Sequence, residues 1–108
     1  MNYRPGDLLL MTFPYTGGAQ SKVRPALVLV DAGDADVLVA RVTTQAYATP
    51  YDVPLAGWRQ AGLLAPSVVR LHKLATLEKS TVVRLLGPIT QGDRAPVAAI
   101  LRQMFGSW

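Results

Sequence analysis

Apolar residues in this chain fall into short runs that are separated by glycine, proline and aspartate. Runs of this length, bounded by turn-forming residues, are typical of strands rather than helices. The pattern predicts strands over residues 8–13, 25–30, 37–43, 51–54, 67–71 and 81–86. No crossover helices separate them, so a parallel sheet is not expected, and short strands with this turn punctuation indicate a small barrel.

Two of the segments between the predicted strands lack a strand pattern. Residues 72–78 are expected to link the last two strands, with Leu74 and Leu77 buried. Residues 57–64 are expected to form one helical turn or a loop. Proline cannot donate to a strand ladder, so Pro25 is expected to open the second strand.

The carboxy-terminal part of the chain changes to helical spacing. An apolar stripe at this spacing is formed by Val97, Ile100, Leu101 and Met104. Thr90 or Asp93 is expected to cap the helix, with Pro96 in its first turn. Gly106 is expected to end it. The prediction is one mainly β domain, residues 1–108, with a carboxy-terminal helix.

The amino-acid composition excludes several kinds of chemistry. Half of the 108 residues are hydrophobic, which is enough for a core without disulfides. The absence of cysteine excludes a disulfide framework, a zinc ribbon and a thiol nucleophile, and the single histidine excludes a site built from several histidines. The seven acidic residues form no tight pair apart from Asp34 and Asp36. We therefore expect no metal ion and no cofactor.

The charge balance is basic. The chain has 11 lysine and arginine residues against 7 acidic ones, a net charge of +4 and a pI near 9.9, and eight of the 11 cations are arginine. This bias fits a polyanionic partner, either nucleic acid or an acidic protein tail, and equally fits a protein from a GC-rich genome. The sequence has no signal-peptide layout and no apolar run of membrane-spanning length, so we expect a cytoplasmic protein that does not contact a membrane.

A glycine-rich loop, residues 14–22, leads to Arg24 at the entrance of the second predicted strand. Paired glycines let a ligand approach the backbone closely. Pro25 favours an extended conformation in the residue before it, so Arg24 is expected at a fixed position. A guanidinium group suits phosphate by its charge and its forked hydrogen bonds. The alternative is a surface arginine that pairs with Asp7 or Asp31.

The residue types available for chemistry favour one reaction of phosphate. RNA carries its own nucleophile, the 2′-hydroxyl, beside the scissile phosphate. An enzyme that aligns this hydroxyl and neutralises the pentacovalent phosphorane can cleave the strand without a metal or a thiol. Arginine supplies the charge, and a threonine hydroxyl can position the 2′-hydroxyl. The expected products are a 2′,3′-cyclic phosphate and a 5′-hydroxyl.

Three segments resemble the signatures of the MazF/PemK family of toxins. Residues 6–30 combine a Gly-Asp opening and a Phe-Pro turn with an Arg-Pro-Ala-Leu-Val-Leu strand. Residues 61–80 contain Gly-Leu, Ser-Val-Val and Lys-Leu elements, and residues 87–90 resemble the closing strand before the terminal helix. The resemblance implies an SH3-like barrel, a homodimer and the toxin of a type II toxin–antitoxin pair. It also implies a sequence-selective endoribonuclease, an mRNA interferase, that acts on single-stranded RNA.

The same resemblance implies roles for individual residues. Arg24 and Thr43 match the family's catalytic pair, and Thr44 is the rival hydroxyl because it follows directly. Substrate-binding roles are expected for Tyr15, Gln20, Lys22, Thr44 and Gln45. The cognate antitoxin is expected to insert an acidic, partly disordered tail into the basic groove, in competition with RNA.

The roles of several aromatic side chains are not decided by the sequence alone. Tyr15, Tyr47 and Tyr51 suit either stacking on splayed bases or covering the core or the dimer interface. His72 stands alone and is interpreted as a structural or surface group rather than a catalytic base. Trp58 and Trp108 are expected to be packing or interface anchors.

Two other functions stay open. Gyrase-poisoning toxins of the CcdB type have the same barrel and depend on the end of the carboxy-terminal helix, often with a terminal tryptophan, and this chain ends in Gly106-Ser107-Trp108. Many members of the MazF/PemK family carry Ser-Glu-Gln in the first loop, where this chain reads Gly18-Ala19-Gln20. The missing glutamate leaves a catalytically weak module that binds RNA or protein as the third hypothesis.

Overall fold

The computed structural model describes residues 2–14 and 21–108. Within these residues the chain forms six strands, one short 3₁₀ turn at Lys79–Thr81 and one α-helix. The elements are β1 (Asp7–Pro14), β2 (Ser21–Val30), β3 (Asp36–Thr43), β4 (Asp52–Pro54), β5 (Val68–Glu78), β6 (Val82–Pro88) and α1 (Gln91–Phe105).

The six strands form one antiparallel sheet in the order β4-β5-β3-β2-β1-β6. The prediction of a mainly β protein with a carboxy-terminal helix is confirmed. The outer strands of the sheet are β4 and β6, and within the described part of the chain they do not pair with each other. The sheet is therefore not closed.

The second strand begins earlier than predicted. β2 runs from Ser21 to Val30, and Pro25 lies inside it opposite Leu10 of β1, so the expectation that Pro25 opens the strand is wrong. The ladder to β1 continues past the proline, whereas the ladder to β3 begins only at Ala26, opposite Arg41. Proline is tolerated at a position where the strand does not need both ladders.

The predicted link over residues 72–78 is also wrong, because β5 is continuous from Val68 to Glu78. The register jumps there: Arg41 of β3 lies opposite Arg70, while the preceding Ala40 lies opposite Leu74. The three residues between Arg70 and Leu74 form a bulge, which bends a strand without ending it. Leu74, the first paired residue after this bulge, is 38% exposed, so the prediction that it is buried is wrong.

Each face of the sheet carries an apolar cluster. The helix face packs against α1 and buries the sheet residues Leu8, Leu27, Ala40, Val42, Val53, Val69 and Leu71. The opposite face buries Leu9, Met11, Ala26, Val28, Val37 and Val39, with Leu77 packed against them. Because successive strand residues alternate between faces, Arg24, Arg41 and Thr43 belong to the opposite face, next to the end of its apolar cluster.

The terminal helix begins after Thr90, whose side chain accepts a hydrogen bond from the backbone N–H of Asp93. This choice of cap places Pro96 in the second turn, so the prediction of a first-turn proline is wrong. Gly106 ends the helix as predicted. The predicted apolar stripe packs on the helix-face cluster, with Val97 buried. No helix in the described residues has the length and apolar content to cross a membrane.

Asp31 anchors the turn between β2 and β3. Its side chain is 1% exposed and forms an ion pair of 2.8 Å with Lys79. It also accepts hydrogen bonds from the backbone N–H groups of Tyr3 (2.7 Å) and Gly33 (2.8 Å). The bond from Lys79 is the main cause that lowers the pKa of Asp31 from 3.8 to about 2, and the two backbone donors add to it.

This shift predicts a specific acid sensitivity. A carboxylate with a lowered pKa stabilises the fold above its unfolded pKa, and the contribution is lost as the pH falls towards the folded pKa. Between pH 3.8 and about 2, the free energy of unfolding is therefore expected to fall less steeply in Asp31→Asn than in the wild type. Urea titrations across this range measure it, with Asp34→Asn in the same turn as the control. Identical slopes for wild type and Asp31→Asn would contradict the assignment.

Candidate active site

Arg24 and Thr43 lie at the same end of two neighbouring strands. Ala26 of β2 is opposite Arg41 of β3, and the same antiparallel register continued by two residues places Arg24 across from Thr43. On its other side Arg24 is opposite Met11 of β1. The strand ladder thus fixes the backbone of the arginine, as its place before a proline predicts.

A pocket of about 140 Å³ opens between these strand ends. Its lining residues are Val23, Arg24, Pro25, Val42, Thr43, Thr44 and Ser67. We call it the Arg–Thr pocket. It brings together the predicted catalytic pair and the rival hydroxyl of Thr44. Thr43 is only 7% exposed, whereas Thr44 lies open to solvent.

Gln45 holds the hydroxyl of Thr43 from outside the pocket. Its backbone N–H donates to Thr43 Oγ1 at 3.2 Å, and its side-chain Oε1 accepts a hydrogen bond of 2.8 Å from the Tyr47 hydroxyl. Gln45 is not among the lining residues of the pocket. The geometry therefore places Gln45 beside the pocket, where it orients Thr43.

The other predicted substrate-binding residues do not line the Arg–Thr pocket or lie outside the described residues. Lys22 lies opposite Phe13 near the start of β2, is exposed, and does not line the Arg–Thr pocket. Tyr15 and Gln20 fall outside the described residues, as does Ala19. Asp31, suggested as an alternative partner of Arg24, is engaged by Lys79 instead.

Ser67 is a pocket residue that sequence reasoning did not single out. It is 7% exposed, lines the Arg–Thr pocket, and donates its hydroxyl to the carbonyl oxygen of Ala65 at 2.9 Å. Its signal in the sequence is the polar start of the Ser-Val-Val segment. Thr43 and Val68 are register partners, and Ser67 immediately precedes that pair.

A second groove of about 230 Å³ continues from the Arg–Thr pocket. The two share Pro25, Thr44 and Ser67, and the second groove is lined mainly by apolar residues, with Arg84 at its side. Gly62 forms part of its wall and has a φ of +90°. A Cβ atom at position 62 would lie only 2.8 Å from the backbone carbonyl oxygen of Leu86. Glycine is required at this position.

A buried ion pair lies beyond Thr43 on the same face. Arg70 Nε is 2.9 Å from Asp52 Oδ1, and its guanidinium carbon is 3.6 Å from the ring centroid of Tyr47. Burial alone would raise the pKa of Asp52, but hydrogen bonds from Thr49 and Arg70 outweigh it and lower that pKa. Arg70 is therefore held in a fixed position by a charged carboxylate.

The remaining aromatic side chains are partly packed and partly exposed. The rings of Tyr51 and His72 are 5.1 Å apart, and His72 Nδ1 is buried with no hydrogen-bond partner among the described residues. Trp58 packs on the helix-face cluster, whereas Trp108 is fully exposed. Among the described residues, no group of three or more His, Cys, Asp or Glu side chains is placed to hold a metal ion.

Several solved structures share this fold. The match to MazF from Deinococcus radiodurans (Form-I) covers 98% of this chain and 98% of the MazF chain, with a TM-score of 0.74 and 27% sequence identity. A MazE–MazF structure from that organism (Form-II) covers 100% and 99%, with a TM-score of 0.78 and 24% identity. An endoribonuclease in complex with its cognate antitoxin, from Mycobacterial species, covers 94% and 92%, with a TM-score of 0.71 and 21% identity.

These likenesses define a MazF-type fold. The family described as PemK-like, MazF-like toxin of type II toxin-antitoxin system matches residues 4–105. The chain belongs to this family of toxins, and the resemblance seen in the sequence is confirmed. A comparison with curated protein sequences gave no match.

Proposed function

We propose that the protein is the toxin of a type II toxin–antitoxin pair and cleaves single-stranded RNA at a short sequence, without a metal ion. The observation that carries this proposal is the convergence of Arg24 and Thr43 on one pocket. A cation and a buried hydroxyl on adjacent strands suit a phosphate and the ribose beside it. Membership of the toxin family and the structural likeness to proteins described as endoribonucleases support the same reaction.

In the proposed reaction the 2′-oxygen of the substrate attacks the adjacent phosphorus. The 2′-hydroxyl gives up its proton to water, the bond between phosphorus and the 5′-oxygen of the next nucleotide breaks, and the departing 5′-oxygen takes up a proton from water. The products are a 2′,3′-cyclic phosphate and a 5′-hydroxyl. Arg24 binds the non-bridging oxygens, where negative charge grows in the transition state. Thr43 Oγ1 accepts from the Gln45 N–H, so its own proton points elsewhere and can be donated to the ribose or phosphate. The fixed strands hold both groups in position.

The partners follow from the same proposal. The protein acts as a cytoplasmic homodimer, and a cognate antitoxin restrains it. The chain resembles an endoribonuclease described in complex with its cognate antitoxin, and the MazF of a MazE–MazF structure. A net charge of +4 attracts both RNA and an acidic, partly disordered antitoxin tail. The tail and RNA therefore compete for the Arg–Thr pocket and the groove that continues from it.

A cleavage assay in EDTA tests the proposal. Purified protein is incubated with a long single-stranded RNA, and the new ends are mapped. Cuts at one short motif with cyclic-phosphate and 5′-hydroxyl ends are expected. Intact RNA across several unrelated sequences would overturn the endoribonuclease assignment.

The two adjacent threonines can be separated experimentally. Thr43→Val keeps the shape of the side chain and removes only the hydroxyl, which is expected to lower the cleavage rate by about 10–100-fold, because one oriented hydrogen bond to the reacting group is lost. Thr44→Val is the matched control and is expected to change the rate less, since Thr44 is exposed. Single-turnover rates of both variants measure the difference. The reverse order of effects would assign the catalytic role to Thr44.

One observation favours the gyrase-binding alternative. Phe105 is 52% exposed and Trp108 is fully exposed, so the end of α1 presents aromatic surface that a protein partner could cover. Removal of residues 106–108 separates the two functions. Growth arrest that survives this truncation but disappears in Arg24→Ala supports RNA cleavage, and the opposite result supports gyrase binding.

A further inference from the structure

Two arginines lie directly opposite each other beside the Arg–Thr pocket. Arg41 of β3 and Arg70 of β5 are register partners on the face of the sheet that carries Thr43. We propose that Arg41 and Arg70 bind a second phosphate of the RNA, the one next to the scissile phosphate. This inference rests on the proposed function and adds a substrate-backbone subsite to it.

The position of Arg41 follows from strand geometry. Arg41 precedes Thr43 by two residues, so both side chains leave β3 on the same face. Arg41 is opposite Ala26 on β2, and Arg24 is two residues before Ala26. Arg24 is therefore the diagonal neighbour of Arg41, at roughly 7–8 Å for such pairs. Adjacent phosphates of one RNA strand can reach two cations placed this way.

The charges around Arg41 leave it available for an anion. Arg41 is exposed, and no carboxylate of the described residues forms an ion pair with it. Its register partner is Arg70, whose charge is compensated by Asp52. Arg41, Arg70 and Asp52 together carry one net positive charge, which a bound phosphate would balance.

Arg70 is prepared for the same role. Its Nε is bonded to Asp52, and its guanidinium carbon lies 3.6 Å from the ring centroid of Tyr47. A guanidinium group has five N–H donors, so the bond through Nε leaves its terminal nitrogens for another acceptor. The side chain of Asp52 is 0% exposed and that of Arg70 is 12% exposed. Arg70 is therefore already ordered, and little conformational freedom of its side chain is lost on binding.

The Arg41 side of the subsite is suited to mutation. Because Arg41 is exposed, Arg41→Ala removes its charge without opening the core. Arg102→Ala on α1 is the matched control, since Arg102 is also exposed and its loss changes the net charge equally. Thermal melting of both variants verifies the fold.

The experiment measures binding of a single-stranded RNA that carries a 2′-deoxy nucleotide at the cleavage position. A methylphosphonate, which is neutral, replaces one phosphate at a time. In the wild type, neutralising one phosphate next to the scissile one is expected to weaken binding about tenfold, as for a lost hydrogen bond to a charged group. Arg41→Ala is expected to lose this sensitivity at that position, whereas Arg102→Ala keeps it. The salt dependence of binding is also expected to become shallower in Arg41→Ala, by roughly 0.7 in the log–log slope.

The outcomes separate this inference from the proposed function. If the wild type neither cleaves nor binds RNA, the proposed function itself fails. If it cleaves RNA but Arg41→Ala and Arg102→Ala have the same methylphosphonate profile, the second phosphate subsite is overturned while the proposed function stands. If Arg41→Ala binds RNA as the wild type does and loses affinity only for an acidic antitoxin peptide, the second phosphate subsite is also overturned. The arginine pair would then be assigned to binding of the antitoxin.

Discussion

Arg24→Ala is expected to lower the rate of RNA cleavage about 10²–10³-fold, which is the effect of removing one preorganised donor from a site where charge develops. Arg24 lines the Arg–Thr pocket, where it is the predicted contact to the non-bridging oxygens. The phosphorane carries more negative charge there than the ground state, so the loss should appear in the chemical step more than in binding. Single-turnover cleavage at saturating protein measures it. In cells, the same substitution should abolish growth arrest.

Two control variants sharpen this result. Arg24→Lys keeps the charge and loses the forked geometry, so an intermediate rate is expected. Arg102→Ala removes one positive charge from an exposed helix position, and the cleavage rate should stay close to that of the wild type. Melting temperatures of all three variants should be similar, because Arg24 is partly exposed at a strand end. An Arg24→Ala protein that still cuts the same motif at the wild-type rate would remove Arg24 from the mechanism.

Asp93→Ala is expected to have the largest effect on stability. The Asp93 carboxylate is 4% exposed and accepts hydrogen bonds from the backbone N–H groups of Ala56 (3.0 Å) and Gly57 (2.9 Å). It ties the first turn of α1 to the segment after β4. Alanine would leave both donors without their acceptor and remove a negative charge from a helix amino terminus.

The expected loss is about 3 kcal/mol in the free energy of unfolding. For a domain of this size, it corresponds to a fall in Tm of roughly 12–15 °C. Urea denaturation and calorimetry measure the two quantities. Asp34→Ala is the control, since it deletes an exposed carboxylate that accepts one hydrogen bond within a turn, and it should cost less than about 1 kcal/mol. Equal effects of the two substitutions would show that the Asp93 contacts do not stabilise the fold.

The positions of most elements could be predicted because local patterns determine them. The apolar runs between turn residues indicate the strands, and the stripe from Val97 to Met104 indicates the helix. Local patterns failed where pairing between strands decides the structure. Pro25 lies inside β2 because the residues before it still pair with β1. β5 continues past Leu71 because a bulge keeps it paired with β3.

The candidate site shows the same division. Family resemblance identified Arg24 and Thr43, and the β2–β3 register brings them together, although their catalytic roles remain predictions. The pairing of Arg41 with Arg70 could not be predicted, because the bulge in β5 sets which residue lies opposite Arg41. Ser67 reaches the pocket only through the same pairing of β3 with β5.

The two sides of the Arg–Thr pocket differ in how they are anchored. Arg24 stands on β2, where its backbone pairs with Met11 of β1, while the ladder to β3 begins only at Ala26. Amides in paired strands exchange with solvent more slowly than amides in exposed segments. Residues 44–51, which follow Thr43, are all exposed, so their amides should exchange far sooner. We therefore expect substitutions of exposed side chains in that segment to change the surface next to Thr43 at little cost in the free energy of folding. A change in the backbone at Arg24, by contrast, would disturb the ladder between β1 and β2 in the centre of the sheet.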